Sequence, residues 1–170
     1  MRKIICLLLV LCSFSGLLGC TPAQEEAPPE NSILVYYKRD AAVYGTADGV
    51  IAPIYMNTAE HEQDYAYLLV KYFRTAPGEG FAATFPEDLS IVSIDLAGLT
   101  AKVVLSDEIA ELTGMDLTIA LVCLTQTLIS LTDCQEVIIS AKTKQLDGRN
   151  YITLNRDSYL LIDDSGSAQN

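Results

Sequence analysis

Across residues 117–132 the chain carries no charged side chain, and this stretch constrains the fold more than any other. Leu117, Leu121, Leu124, Leu128 and Leu131 recur at helical spacing and make one apolar stripe. At about 100° per residue the opposite side carries Ile119, Val122, Gln126 and Ile129. A helix that is apolar on both sides needs cover on both. Two kinds of cover fit: the chain's own flanks, residues 38–55 or 151–162, or the surface of a partner. On the second reading Ile119, Val122, Gln126 and Ile129 are a candidate interaction face.

The elements around this helix read from local pattern. ILVYY at residues 33–37 is a strand, and a second short strand is expected near residues 50–55. Tyr65, Leu68, Leu69 and Tyr72 fall at i, i+3, i+4 and i+7 and predict a helix, with Asn57 and Glu60 at capping-box spacing ahead of it. That helix stops at Thr75-Ala76-Pro77-Gly78, where Pro and Gly prevent continuation. Residues 89–95 and 100–105 read as a β-hairpin turning at Ala97-Gly98. Ser106-Asp107-Glu108 caps a short turn ending at Gly114, and Asp116 is expected to cap the long helix. EVIISA at 136–141 is a further strand, Asp147-Gly148 a turn, and residues 151–154 and 159–162 closing strands. The order β-α-β-β-α-β predicts a single α+β domain, with two helices packed on one face of a three- to five-stranded sheet.

The N-terminus looks removable. Arg2 and Lys3 precede an apolar run, and Leu17-Leu18-Gly19-Cys20 resembles a bacterial lipobox, so residues 1–20 read as a signal peptide and Cys20 as the acylated first residue. Several acyl chains together anchor stably where one is marginal. Residues 21–32, TPAQEEAPPENS, read as a disordered tether, residues 33–162 as the domain and 163–170 as a frayed tail. Eleven Lys and Arg against 22 Asp and Glu give a net charge of −11, and losing Arg2 and Lys3 leaves nine against 22, or −13. Such a chain repels nucleic acid, which is excluded as a partner. Cys123 and Cys134 are separated by mostly helical chain of roughly 16 Å, beyond disulfide reach, and are expected as free thiols.

No motif for catalysis emerges. The sole histidine, His61, opens Glu60-His61-Glu62-Gln63-Asp64-Tyr65, where Tyr65 stands in place of the second zinc-ligating His of HExxH. The pairs Asp107/Glu108 and Asp163/Asp164 read as solvated carboxylates rather than acid–base pairs. Weak calcium binding at Asp147, Asp157 or Asp163/Asp164 lacks the EF-hand ligand ladder. Tyr36, Tyr37, Tyr65, Tyr67 and Tyr72 could line a sugar or peptide groove, or pack in the core. No cofactor and no metal is expected.

In this order the segments resemble the GerMN domain, a family named from a spore-germination and sporulation protein. Ile33-Leu34-Val35-Tyr36-Tyr37 is similar to its opening strand, and Leu68-Leu69-Val70-Lys71-Tyr72-Phe73 through Thr75-Ala76-Pro77 to its helix ending in Leu-Leu … Gly-Pro, with Ala76 in place of Gly. Phe85-Pro86-Glu87-Asp88-Leu89, the following hairpin and Val104-Leu105-Ser106 resemble its Pro-x-Gly-Thr … Val-Asp-Leu-Ser section, with Asp88 replacing Gly. Gln126-Thr127-Leu128 looks like the Thr-Leu of its second helix. The resemblance covers residues 33–148. It implies a small domain similar to ring-building motifs of sporulation channels, often borne by lipoproteins at the outer face of the membrane, with no catalytic residues to carry over.

The expected function is a non-enzymatic structural or interaction module of the cell envelope, extracytoplasmic and anchored to the membrane through Cys20. It would bind an envelope protein or self-associate, with sporulation or germination as the setting. The alternative is a ligand-binding lipoprotein for cell-wall fragments or a small molecule. An envelope hydrolase would need a carboxylate or His61 in a cleft.

Overall fold

The computed structural model describes residues 29, 31–45, 49–58 and 64–159. The leader with Cys20, most of the tether, Glu60, His61 and residues 160–170 lie outside them.

Six strands form two sheets. β1 (Ser32–Lys38) and β2 (Ile51–Asn57) make an antiparallel pair in register from Ser32↔Asn57 to Lys38↔Ile51. β3 (Ile91–Ala97), β4 (Thr100–Leu105), β5 (Glu136–Ala141) and β6 (Ile152–Asn155) form a second sheet in that order. β3/β4 and β5/β6 are antiparallel, whereas β4/β5 are parallel. Parallel neighbours need a long crossover, and helix α2 (Gly114–Leu131) supplies it. Helix α1 (Tyr65–Phe73) packs against β3. The α+β class holds, with the strands divided between two sheets rather than gathered into one.

Alternation sets the faces. Ala101, Val103 and Leu105 of β4 lie directly opposite Val137, Ile139 and Ala141 of β5, and all six are buried, so the two strands present one continuous apolar floor. The β3/β4 turn places Gly98 at its first central position with φ +61°, the conformation a two-residue type II′ hairpin needs there. Opposite Leu105 and Val104 the register slips between Ile91 and Ser93, and the extra residue, Val92, is half exposed.

Three boundaries differ from the sequence pattern. Asn57 ends β2, and α1 is capped by Asp64, whose carboxylate accepts from the Tyr67 N–H at 3.1 Å. α2 starts at Gly114, whose φ of +55° lets the chain turn out of Thr113 into the helix. Asp116 therefore sits inside the first turn, not at the cap, and its carboxylate is 2.5 Å from the Lys38 Nζ on β1. Finally, Arg156–Tyr159 form a 3-10 turn where a strand beginning at Tyr159 is expected, and residues 160–162 lie outside the described residues.

Candidate functional site

α2 lies between the two sheets, and this decides the fate of its expected interaction face. Ile119 and Val122 are 1% exposed, Gln126 5% and Ile129 6%, so all four are interior and are not available to a partner. The cover comes from both flanks of the chain. On one side β1 runs along the helix: the Tyr36 N–H donates to the Thr127 Oγ1 at 2.9 Å, and Lys38 reaches Asp116. On the other, β6 and the turn after it close over Val122, Gln126 and Ile129, with the Gln126 amide donating to the Arg156 carbonyl at 2.8 Å. The 18 residues have a mean hydropathy of 1.6, which a membrane span would share, but two sheets take the place of lipid here.

One hydroxyl of this helix carries a role that the apolar pattern conceals. A β1 N–H facing away from β2 needs an acceptor, and the fully buried Thr127 provides it. Thr84 does the same more weakly for the Lys38 N–H at 3.4 Å. A threonine within a run of leucines does not by itself signal this role, because Thr125, two residues away, is equally buried and its hydroxyl has no hydrogen-bond partner among the described residues.

The tyrosines separate. Tyr37 is fully buried, edge-on to Phe73 at 6.2 Å and to Phe81 at 6.4 Å, and burial pushes its pKa upward. Tyr72 is buried and its hydroxyl donates to the Asn57 carbonyl at 2.5 Å, tying α1 to β2. Tyr36 is half-buried, whereas Tyr65 and Tyr67 are exposed on α1. The five therefore do not line one groove.

Two recesses flank β6. One, about 280 Å³, is lined by apolar Leu117, Leu121, Val122, Ile152 and Leu154 and by the opposite charges Asp147 and Arg149. The other, about 460 Å³, lies between Ile129, Cys134 and residues 155–157. Neither is lined by a tyrosine.

The titratable groups read as structural. Asp107 accepts from the backbone N–H of Thr143 at 2.7 Å, from that of Lys144 at 3.0 Å and from the Thr143 hydroxyl. These bonds hold its pKa down at about 2 and pin the loop after β5. The Ser106 hydroxyl lowers that of Glu108. Cys123 and Cys134 are free and buried, and burial pushes the Cys123 thiol up to about 12, far from a reactive thiolate. Among the described residues no three His, Cys, Asp or Glu side chains gather where a metal could sit.

No family model matches the chain, and no curated protein matches it. Solved structures do. The first GerMN domain of the sporulation protein GerM from Bacillus subtilis aligns over 74% of this chain and 98% of its own, with a TM-score of 0.58 and 19% identity. The tandem GerMN domains of the same protein align over 75% of this chain and 46% of theirs, with a TM-score of 0.54 and 17% identity. With two sheets enclosing a helix that carries no charge from Leu117 onward, the chain folds as a GerMN-like domain.

Proposed function

We propose that this chain is an envelope lipoprotein in which the GerMN-like domain, held off the membrane by the residue 21–32 tether, serves as an assembly or docking module rather than as an enzyme. The observation that carries the reading is the structural match across nearly the whole first GerMN domain of a sporulation protein, in a chain whose N-terminus reads as a lipobox. Sporulation or germination is the setting that this likeness favours. The docking surface lies away from the buried side of α2, because Ile119, Val122, Gln126 and Ile129 are occupied by the chain itself.

The anchor is tested by Cys20→Ala with a clickable fatty acid. The parent should take up label and partition with membranes, and the variant should lose both while keeping the circular dichroism of the folded domain. A variant that still carries acyl label would refute the anchor. The setting is tested by deletion: spore yield or germination should fall while vegetative growth is unchanged, and unaltered spores would remove sporulation from the account.

A further inference from the structure

The groove between α2 and β6 holds about 280 Å³, just under the roughly 300–1,000 Å³ of small-molecule sites, so it suits a ligand of few atoms. Leu117, Leu121, Val122, Ile152 and Leu154 give it an apolar lining. Four polar side chains share that lining, and they divide into two kinds. The Thr118 hydroxyl is spent on the Gly114 carbonyl, and the Ser158 hydroxyl accepts from the Asn155 N–H and donates to the Asn155 side chain. Asp147 and Arg149 make no side-chain hydrogen bond or ion pair among the described residues, so they stand in one groove farther apart than the roughly 4 Å of an ion pair.

The turn that carries them is tightly closed. The Leu146 N–H donates to the Arg149 carbonyl at 2.8 Å and the Arg149 N–H to the Leu146 carbonyl at 2.9 Å, leaving Asp147 and Gly148 as the central residues of a two-residue hairpin. Their φ of +50° and +78° are the type I′ geometry that Asp-Gly adopts readily. Leu146 is fully buried and anchors the turn. Opposite charges held apart beside an apolar surface complement a molecule that carries both charges itself. A ligand with one charge leaves either Asp147 or Arg149 unmatched.

We propose that this groove binds a free α-amino acid with a branched apolar side chain. The α-ammonium meets Asp147, the α-carboxylate meets Arg149, and the side chain lies on the apolar lining. This binding is separate from the docking role and stands whether or not the domain has a protein partner.

The test is NMR on the full chain in detergent micelles with labelled Leu, Ile and Val methyls, and L-leucine as the probe. A ligand of so few atoms is expected to bind with a Kd of about 1 mM. The Leu121, Val122, Ile152 and Leu154 methyls should shift saturably. L-leucinamide, which lacks the carboxylate, and 4-methylpentanoate, which lacks the ammonium, should each bind at least about tenfold more weakly. Asp147→Asn, which tolerates the positive φ, and Arg149→Gln should each weaken leucine about tenfold or more while the rest of the spectrum is unchanged. The absence of a saturable shift at about ten times the expected Kd would overturn the site. So would either analogue binding as well as leucine, or a variant of either charge binding leucine as the parent does, since the groove would then make no use of its charges.

Discussion

The two sides of α2 are held by different physics. Toward β1 the contact is directional: the Thr127 hydroxyl receives the Tyr36 N–H, and Asp116 meets Lys38, so the strand is fixed in register along the helix. Toward β6 the contact is mostly shape and apolar area, with Leu117, Leu121 and Val122 facing Ile152 and Leu154 across a groove that remains partly open. Hydrogen bonds specify a position, whereas apolar burial supplies most of the free energy without choosing one. A helix core to two sheets can therefore tolerate an incompletely filled flank on the side where the Gln126–Arg156 bond supplies the directional contact and apolar area the rest.

The largest change should come from the residues both sides share. Leu128 is fully buried, and Leu128→Ala should cost about 2–5 kcal/mol in denaturant unfolding, a cavity-dependent loss. Next, Thr127→Val keeps the volume but leaves the Tyr36 N–H without its acceptor. We expect a loss of about 1–3 kcal/mol and faster exchange at the Tyr36 amide. Thr118→Val on the same helix, where the hydroxyl is exposed and bonds back to Gly114, should change stability by less than about 0.5 kcal/mol. Equal effects at the two threonines would erase the directional contact from the comparison. Lys38→Met should cost under about 1 kcal/mol, because Asp116 is 61% exposed, and the difference from the parent should shrink in high salt.

The smallest effect is a pH dependence on the sheet side. Bonds from Thr143 and Lys144 lower the Asp107 pKa, so its contribution is present above the ordinary carboxylate value of 3.8 and is lost as pH falls through about 2. A carboxyl NMR titration should place its midpoint near 2, with the Thr143 amide losing protection over the same range. A midpoint near 3.8 would contradict the clamp.

What the sequence made legible is what local periodicity encodes. The strand at residues 33–37, the Leu68–Leu69–Tyr72 helix face, the hairpin around Gly98, the leucine stripe and the strand at 136–141 each follow from a period of 2 or 3.6 and a turn residue, and each is present. Caps were less legible. Asn57 and Glu60 have the right spacing, but Asn57 is used by β2, because pairing with Ser32 extends that strand beyond the pattern of its own residues. The division into two sheets is a non-local choice that no window of sequence records. The side of α2 carrying Ile119, Val122, Gln126 and Ile129 was legible as apolar and in need of cover; which segment covers it is decided by β1 and by residues 152–159, far away in the chain. In the sequence Thr127 stands out only within Gln126-Thr127-Leu128, and its work as an acceptor appears only once Tyr36 is placed beside it.

The central claim, that α2 is core on both sides, is tested most directly by placing a charge on its second side. Ile119 is 1% exposed, and an ionised carboxylate there, without a partner, costs several kcal/mol against a total stability of about 5–15 kcal/mol. The chain carrying Ile119→Glu and Ile129→Glu should lose its cooperative thermal transition and its dispersed amide spectrum. A double variant that stays folded with the parent's stability would show that this side of the helix faces solvent or a partner, and would contradict the account.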